Sequence, residues 1–340
     1  MLRNLVERWR GWSAKNTDIV ALPFILLFVI VLMTILTGGE FLTLANFNAV
    51  AAQVPELGLL SLAMMIVMLT AGINLSIISS ANFTGVLMAL IMTRMIPDGA
   101  SQGHTILIIL LAVVAGVAFS ALLGLVNGLL VAYVEVPAVL TTLGTMILYE
   151  GLTLAITKGF VISGLPEAYL AVGDASILGL PVPLIILIIA TIVMATIFSR
   201  TPFGKQLYML GSNMTATEYS AVDVRKVLIK VYVISAILTG LAAMIMLARF
   251  NSANARQGSS LLLLTVLICM LGGTDPFGGF GKVLGLFLAL ITLQLITSGL
   301  NLLGYSSFVT VALWGILLIL VMAYRHFQGQ RLNRQRMARL

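Results

Sequence analysis

Apolar runs broken by glycine, proline and small polar clusters recur along the whole chain, at about 19–37, 50–71, 76–96, 105–133, 137–157, 181–199, 229–250, 260–273, 283–300 and 308–324. A membrane-spanning helix takes about 20 apolar residues, so the pattern predicts ten spans, several of them short or broken. The predicted fold class is an all-α polytopic membrane protein, with a possible five-plus-five inverted repeat. Its expected divisions are a segment 1–18, a transmembrane domain 19–324 and a basic tail 325–340.

Three segments depart from straight apolar helices. Residues 69–83 are polar but uncharged, and too apolar for a solvated loop. Such backbone is tolerated at membrane depth only where protein or a water-filled path satisfies its N–H and C=O groups. Residues 135–145 place proline, hydroxyls and glycine at a helix start, and residues 271–282 carry five glycines in twelve positions. Glycine-interrupted segments in both halves of a polytopic chain point to a transport path built on internal repeats. The repeat is faint here: Ala-Gly-Ile-Asn at 71–74 echoes Gly-Gly-Thr-Asp at 272–275.

Composition narrows the class. Of 340 residues, 60% are hydrophobic and 9% charged, whereas a soluble domain carries about 25% charged residues. The net charge of +7 reports topology and not a nucleic-acid partner. With the N-terminus cytoplasmic, fifteen Lys and Arg fall on inside segments or snorkel to them, and only Arg94, Lys158, Arg249 and Arg256 fall outside. Both termini are therefore expected in the cytoplasm. One cysteine, Cys269, and two distant histidines leave no material for disulfides, zinc clusters or haem ligation. No metal or cofactor is expected in this chain.

The longest inside loop, 200–228, looks ordered. Asn213 is a plausible N-cap for a short helix over about 214–220, which suits docking to a soluble partner. Its contact set is Asn213, Thr215, Ala216, Thr217, Glu218, Tyr219, Ala221 and Asp223.

At these residues the sequence resembles the membrane permease subunits of bacterial ATP-binding-cassette importers of the ribose, xylose and arabinose class, which also carry furanose-like signals. Four motifs carry the resemblance over about 40–325: Thr-Ala-Gly-Ile-Asn-Leu-Ser at 70–76; Asn-Gly-Leu-Leu-Val-Ala at 127–132 with Val-Pro-Ala-Val-Leu-Thr-Thr-Leu-Gly-Thr-Met at 136–146; Thr-Pro-Phe-Gly-Lys at 201–205 with Gly-Ser-Asn at 211–213; and Leu-Gly-Gly-Thr at 271–274 with Gly-Gly-Phe-Gly at 278–281. The resemblance implies a bacterial inner-membrane location. It also implies a second permease subunit, identical or different, ATPase subunits that bind ATP and Mg, and a periplasmic sugar-binding protein. Departures are Ala71 and Ala221 where the family has Gly, Asn74 where it has Asp, and Glu150 where Arg is common.

The candidate path residues are Asn74, Ser76, Ser79, Asn82, Phe83, Asn127, Thr141, Thr142 and Thr145. Neutral hydroxyl and amide groups hydrogen-bond a polyol without trapping it by charge. The competing reading makes them glue that satisfies an unwound backbone or bonds helix to helix. The segment 278–282 fails as a phosphate loop, because Pro276 stands where glycine is needed and Val283 where Ser or Thr is needed. No catalytic motif is present, so an enzyme is not expected. The alternative function is a proton-coupled secondary transporter, which needs an intramembrane ionisable group. Glu56, Glu150 and Asp275 are the candidates, all expected close to span ends.

Overall fold

The computed structural model describes residues 17–337 except 98 and 178. The expected segment 1–18 therefore lies outside the described residues apart from Thr17 and Asp18, and only backbone is described from 324 onward. The ten predicted spans all form helices, in order: α1 (Thr17–Leu36), α2 (Leu44–Met68), α3 (Ile77–Met95), α4 (Gln102–Ala132), α5 (Ala138–Thr157), α7 (Val182–Arg200), α10 (Val224–Phe250), α11 (Leu261–Leu271), α12 (Val283–Leu302) and α13 (Ser307–Met337). Three short helices lie between them: α6 (Glu167–Asp174), α8 (Pro202–Ser212) and α9 (Met214–Tyr219). Among the described residues seven helices are long and apolar enough to cross a membrane, and α1, α11 and α13 offer shorter apolar stretches.

Local chemistry sets the helix ends. Thr43 caps α2, Ser101 caps α4, Thr201 caps α8 and Asp223 caps α10, each through a side-chain oxygen that accepts a first-turn N–H. At the other ends, Lys158 after α5 and Asn251 after α10 turn the chain in the left-handed region.

Helices α2 and α10 form the centre. They pack on each other; α2 also packs on α11 and α12, and α10 on α3 and α4. Helix α3 in turn packs on α4 and α5, as α11 packs on α12 and α13. This is the pattern of two related halves in which α2 to α5 correspond to α10 to α13. The correspondence fails for the first helix of each half: α1 lies on α12, whereas α7 lies on α2.

The most extensive helix contact is that of α4 with α10. Gly116, Ser120, Gly124 and Gly128 recur every fourth residue on α4, and a Cβ at Gly124 would collide with Ala236 and the Tyr232 carbonyl. Small residues let backbones approach where burial of apolar surface gives little drive between helices in lipid. Ser120 Oγ uses that proximity to donate to Ala236 O at 2.6 Å. Outward, α4, α5 and α7 present leucine, isoleucine and valine, among them Leu110, Val114, Leu140, Ile147 and Ile192.

The segments joining the helices fall at two ends of the bundle. One, the basic end, carries Arg200, Lys205, Arg225, Lys226 and Lys282. At the other, the 158–181 connection contains α6 and a hairpin of β2 (Ser176–Ile177) with β3 (Leu180–Pro181). There β1 (Ile162–Ser163) pairs antiparallel with β4 (Ser252–Ala253), and the Tyr169 hydroxyl of α6 donates to Met244 O at 2.7 Å.

Candidate functional site

The segment 69–83 is not irregular throughout, as its composition suggests. The unwound part is 69–76, and Ser79, Asn82 and Phe83 already belong to α3. Ala71 ends the preceding helix at φ 61. Gly72 follows because a Cβ there would press on Val67, Ala138 and the Tyr232 hydroxyl.

The side chains around this break form one continuous polar seam. Asn127 Nδ2 on α4 donates to Ser76 Oγ at 2.9 Å, and Ser76 Oγ donates to Asn74 Oδ1 at 2.8 Å. Asn74 Nδ2 reaches Ser235 Oγ on α10 at 3.4 Å, and Ser235 donates to Ala63 O on α2 at 2.7 Å. Thr142 on α5 donates to Ile73 O at 2.9 Å. Four helices are thus joined through a stretch of backbone that has no helix of its own. Asn127 Oδ1 and the Tyr232 hydroxyl are buried without a hydrogen-bond partner.

Of the remaining candidates Ser79 borders the seam, and Asn82 and Phe83 sit apart from it. Asn82 Nδ2 donates to the carbonyls of Ala255 and Gln257, both at 3.0 Å, beyond the far end of α10. Next to it a cavity of about 10 Å3, lined by Gly85, Met246, Asn254 and Gln257 among others, has room for about one water. Phe83 packs edge-on against Phe119, with ring centroids 4.9 Å apart, and beside Tyr149. Ser79 donates to Ser76 O at 3.0 Å. Thr141 and Thr145 lie on the buried stripe of α5 with Tyr149, Thr153 and Thr157; the Thr145 hydroxyl donates back to Thr141 O at 3.1 Å. All nine candidate path residues are buried.

The predicted short helix in the basic loop is α9. Asn213 Oδ1 caps it by accepting from Ala216 N at 2.9 Å. Thr217 is buried, while Thr215, Ala216, Glu218 and Tyr219 are exposed, Tyr219 at 89%. Ala221 leaves the helix at φ 59. Asp223 caps α10, and the hydrogen bond from the Lys226 side chain holds its carboxyl below the ordinary range. Beside α9 runs an open groove lined by Tyr208, Met209, Ser212, Asn213, Ala216, Thr217 and Ser220.

A joint that sequence reasoning missed ties α8, the helix directly before α9, to Leu69 at the start of the unwound segment. Gly279 N–H donates to Leu69 O at 3.0 Å. Gly211, near the end of α8, lies so close to both groups that a Cβ would strike Leu69 O and Gly279 N. The Tyr208 hydroxyl donates to Gly281 O at 2.8 Å. The signal was visible as glycines at 211, 278 and 279, but spacing alone could not pair segments 140 and 200 residues apart in this way. The same joint reinterprets the echo between 71–74 and 272–275: these segments meet at one end of the bundle, whereas an inverted repeat places equivalents at opposite ends. By helix order the counterpart of 69–76 is 251–260.

One acidic group departs from expectation. Helix α2 begins at Leu44, so Glu56 falls in its middle and not near an end. Its side chain is 5% exposed and pairs with Arg249 of α10 at 2.9 Å. Glu150 pairs with Arg256 at 2.6 Å.

Residues 46–322 match the family described as branched-chain amino acid transport system / permease component. The chain is similar to the ribose import permease protein RbsC of Bacillus subtilis, with 32% identity over 88% of this chain and 90% of the relative. The autoinducer 2 import system permease protein LsrD of Yersinia enterocolitica is 29% identical over 82% of this chain and 85% of its own length. The ribose import permease protein RbsC of Haemophilus influenzae is 28% identical over 91% and 93%. No solved structure matches the chain significantly. With a matching region that covers most of its length and a helix order that fits a multi-pass permease, the chain belongs to this family of membrane transport permease components.

Proposed function

We propose that the chain is the permease subunit of an ATP-driven, binding-protein-dependent importer for a monosaccharide or a related furanose. The observation that carries this reading is the joint at Leu69, Gly211 and Gly279, which ties α8, directly before the capped and exposed α9 in the basic loop, to the unwound segment between α2 and α3. A self-sufficient carrier has no use for such a helix, whereas a permease driven by a soluble ATPase needs a rigid lever between the two. The basic end faces the cytoplasm by the positive-inside rule, so α9 meets the ATPase there, and ATP and Mg bind to that partner. The opposite end, with β1, β4 and α6, receives a sugar-binding protein. A second permease subunit, identical or related, completes the path in the bacterial inner membrane.

The solute class follows from the ribose and autoinducer 2 names of the relatives and from the seam itself. Its side chains are hydroxyls and amides with no formal charge, a set that exchanges hydrogen bonds with sugar hydroxyls one for one. The bonds that Asn74, Ser76, Asn127 and Ser235 make among themselves support reading the seam as a closed gate. Opening it requires sugar hydroxyls or water to replace the bonds among Asn74, Ser76, Asn127 and Ser235.

The test is uptake of labelled ribose into proteoliposomes holding the permease with its ATPase and binding protein. Uptake is expected only with ATP and both partners present, and the permease alone is expected to hydrolyse no ATP. Ala216→Trp should leave insertion intact but release the ATPase or uncouple its hydrolysis. Ribose uptake driven by a proton gradient without ATP would return the chain to the secondary-transporter reading.

A further inference from the structure

The turn between α11 and α12 holds aromatic side chains on a rigid frame. Asp275 Oδ1 accepts from Phe277 N at 2.9 Å, Asp275 N donates to Phe280 O at 2.9 Å, and Gly278 N donates to Asp275 O at 3.0 Å. Gly278 and Gly279 take φ values of 87 and 77, a region that L side chains rarely enter. Two further bonds fasten the turn to its surroundings: Gly279 N–H to Leu69 O, and the Tyr208 hydroxyl to Gly281 O. On this frame Phe277 is 84% exposed and Phe280 68%. Aromatic groups that lose little freedom on binding dominate protein interfaces.

We propose that Phe277 is a second docking anchor for the ATP-hydrolysing subunit, beside α9. This rests on the reading of α9 as the ATPase contact. Position identifies the occupant. Gly279 lies against Ser212, the residue that precedes the Asn213 cap, so the turn adjoins the groove that α8 and α9 form. A partner seated on Ala216 and Tyr219 meets the turn without rearrangement of either element. The anchor also has a direct route into the permease, because its turn is bonded to Leu69 O at the start of the unwound segment. A push on Phe277 reaches Leu69, at the head of the unwound segment, through one hydrogen bond, in parallel with a push on α9 that passes through α8 and Gly211. Lipid headgroups are the other surroundings in which an exposed aromatic side chain settles at a membrane end.

Photo-cross-linking of the assembled transporter in proteoliposomes separates these outcomes. In a Cys269→Ser background, benzophenone maleimide is attached at Ala216→Cys or at Phe277→Cys. Both positions are expected to capture the ATPase. Capture from 216 with only lipid adducts at 277 overturns the second anchor and leaves the α9 reading in place; failure at both positions overturns the two together. As an independent measure, Phe277→Ala should weaken ATPase affinity and sugar uptake about tenfold, and Phe277→Trp should restore both. Unchanged affinity and uptake in Phe277→Ala would also overturn the proposal.

Discussion

The two segments that follow the central helices occupy corresponding places in the halves of the molecule, yet they are held by different chemistry. Residues 69–76, after α2, are secured by neutral groups: Asn74, Ser76, Asn127, Thr142 and Ser235, and the backbone joint to Gly279. Residues 251–260, after α10, are secured by Asn82 on their carbonyls, by Asn251 Oδ1 accepting Leu165 N, by the β1–β4 pairing and by the Arg256–Glu150 ion pair. Just before them Arg249 ties α10 to Glu56 in the middle of α2. Neutral hydrogen bonds net only about 0.5–1.5 kcal/mol each and exchange readily with a hydroxylated solute. A buried charge resists separation from its partner far more strongly. The first segment is therefore suited to opening and the second to staying in place.

The comparison is broken most severely at Glu56. Arg249→Ala leaves the buried Glu56 carboxylate without its partner, a loss of up to about 3–5 kcal/mol, and Glu56→Ala strands the half-buried Arg249 guanidinium at a smaller cost. Either variant should reduce the amount of folded permease in membranes, measured by detergent-extracted monodisperse protein. A Glu56→Leu, Arg249→Met double variant should recover much of the yield, since paired removal strands no charge. If the single variants are as abundant as the parent, Glu56 and Arg249 do not lock the second segment.

Next in size is the joint. Gly211→Val forces side-chain atoms between Leu69 O and Gly279 N and breaks a buried backbone bond, worth about 1–3 kcal/mol. ATPase binding should survive because α9 and its Asn213 cap are untouched, while ribose uptake should fall about tenfold or more. Asn74→Leu attacks the same segment from the seam side: it removes the acceptor of Ser76 and the donor to Ser235, and should lower uptake with assembly intact. Equal uptake in both variants would place the gate elsewhere.

How much of this was legible in the sequence depends on the range of the interaction. The ten spans, the Asn213 cap and the unwound stretch near 72 rest on local signals: apolar run length, a capping side chain, and glycine among polar residues. The polar segment 69–83 and the span expected over 76–96 overlap at Ser79, Ser80 and Asn82, and α3 takes all three into the span. In α3 all three are buried, with Ser79 donating to Ser76 O and Asn82 to the 255 and 257 carbonyls. Glu56 was misplaced because the polar start of α2, with Asn46, Asn48 and Gln53, does not look apolar enough to be membrane helix. There Ser298 donates to Asn46, and Gln294 donates to Gln53 at 2.9 Å, which engages those two side chains with α12 while Asn48 stays exposed. Partners such as Ser235, Gly211 and Arg249 lie far away in sequence and leave no local mark.

A smaller effect is expected at the two alanines that stand where the family has glycine. Ala71 and Ala221 have φ of 61 and 59, a conformation that costs an L residue about 1–2 kcal/mol, partly offset in a Gly variant by the greater freedom of the unfolded chain. Ala71→Gly and Ala221→Gly should each raise thermal stability in detergent slightly, by less than about 1 kcal/mol. Of the two, Ala71→Gly should also ease opening of the first segment and raise uptake. A lower melting temperature in either variant would show that neighbouring contacts, and not backbone strain, decide these positions.

The smallest effect should come from the Arg256–Glu150 pair. Arg256 is 75% exposed and Glu150 29%, so water and salt screen the attraction, and exposed pairs of this kind are worth about 0–1 kcal/mol. Glu150→Gln or Arg256→Gln should therefore leave stability and uptake close to the parent, with any difference vanishing at high salt. Asn82→Leu should do more at the same segment, because it strips two buried carbonyls of their donor at once. That order separates two accounts of why the second segment stays in place. If Arg256→Gln proves more damaging than Asn82→Leu, surface charge holds the segment, and binding-protein docking can release it by offering Arg256 another carboxylate. If Asn82→Leu is the more damaging, the hold is buried and neutral, and docking must act through β1, β4 and α6.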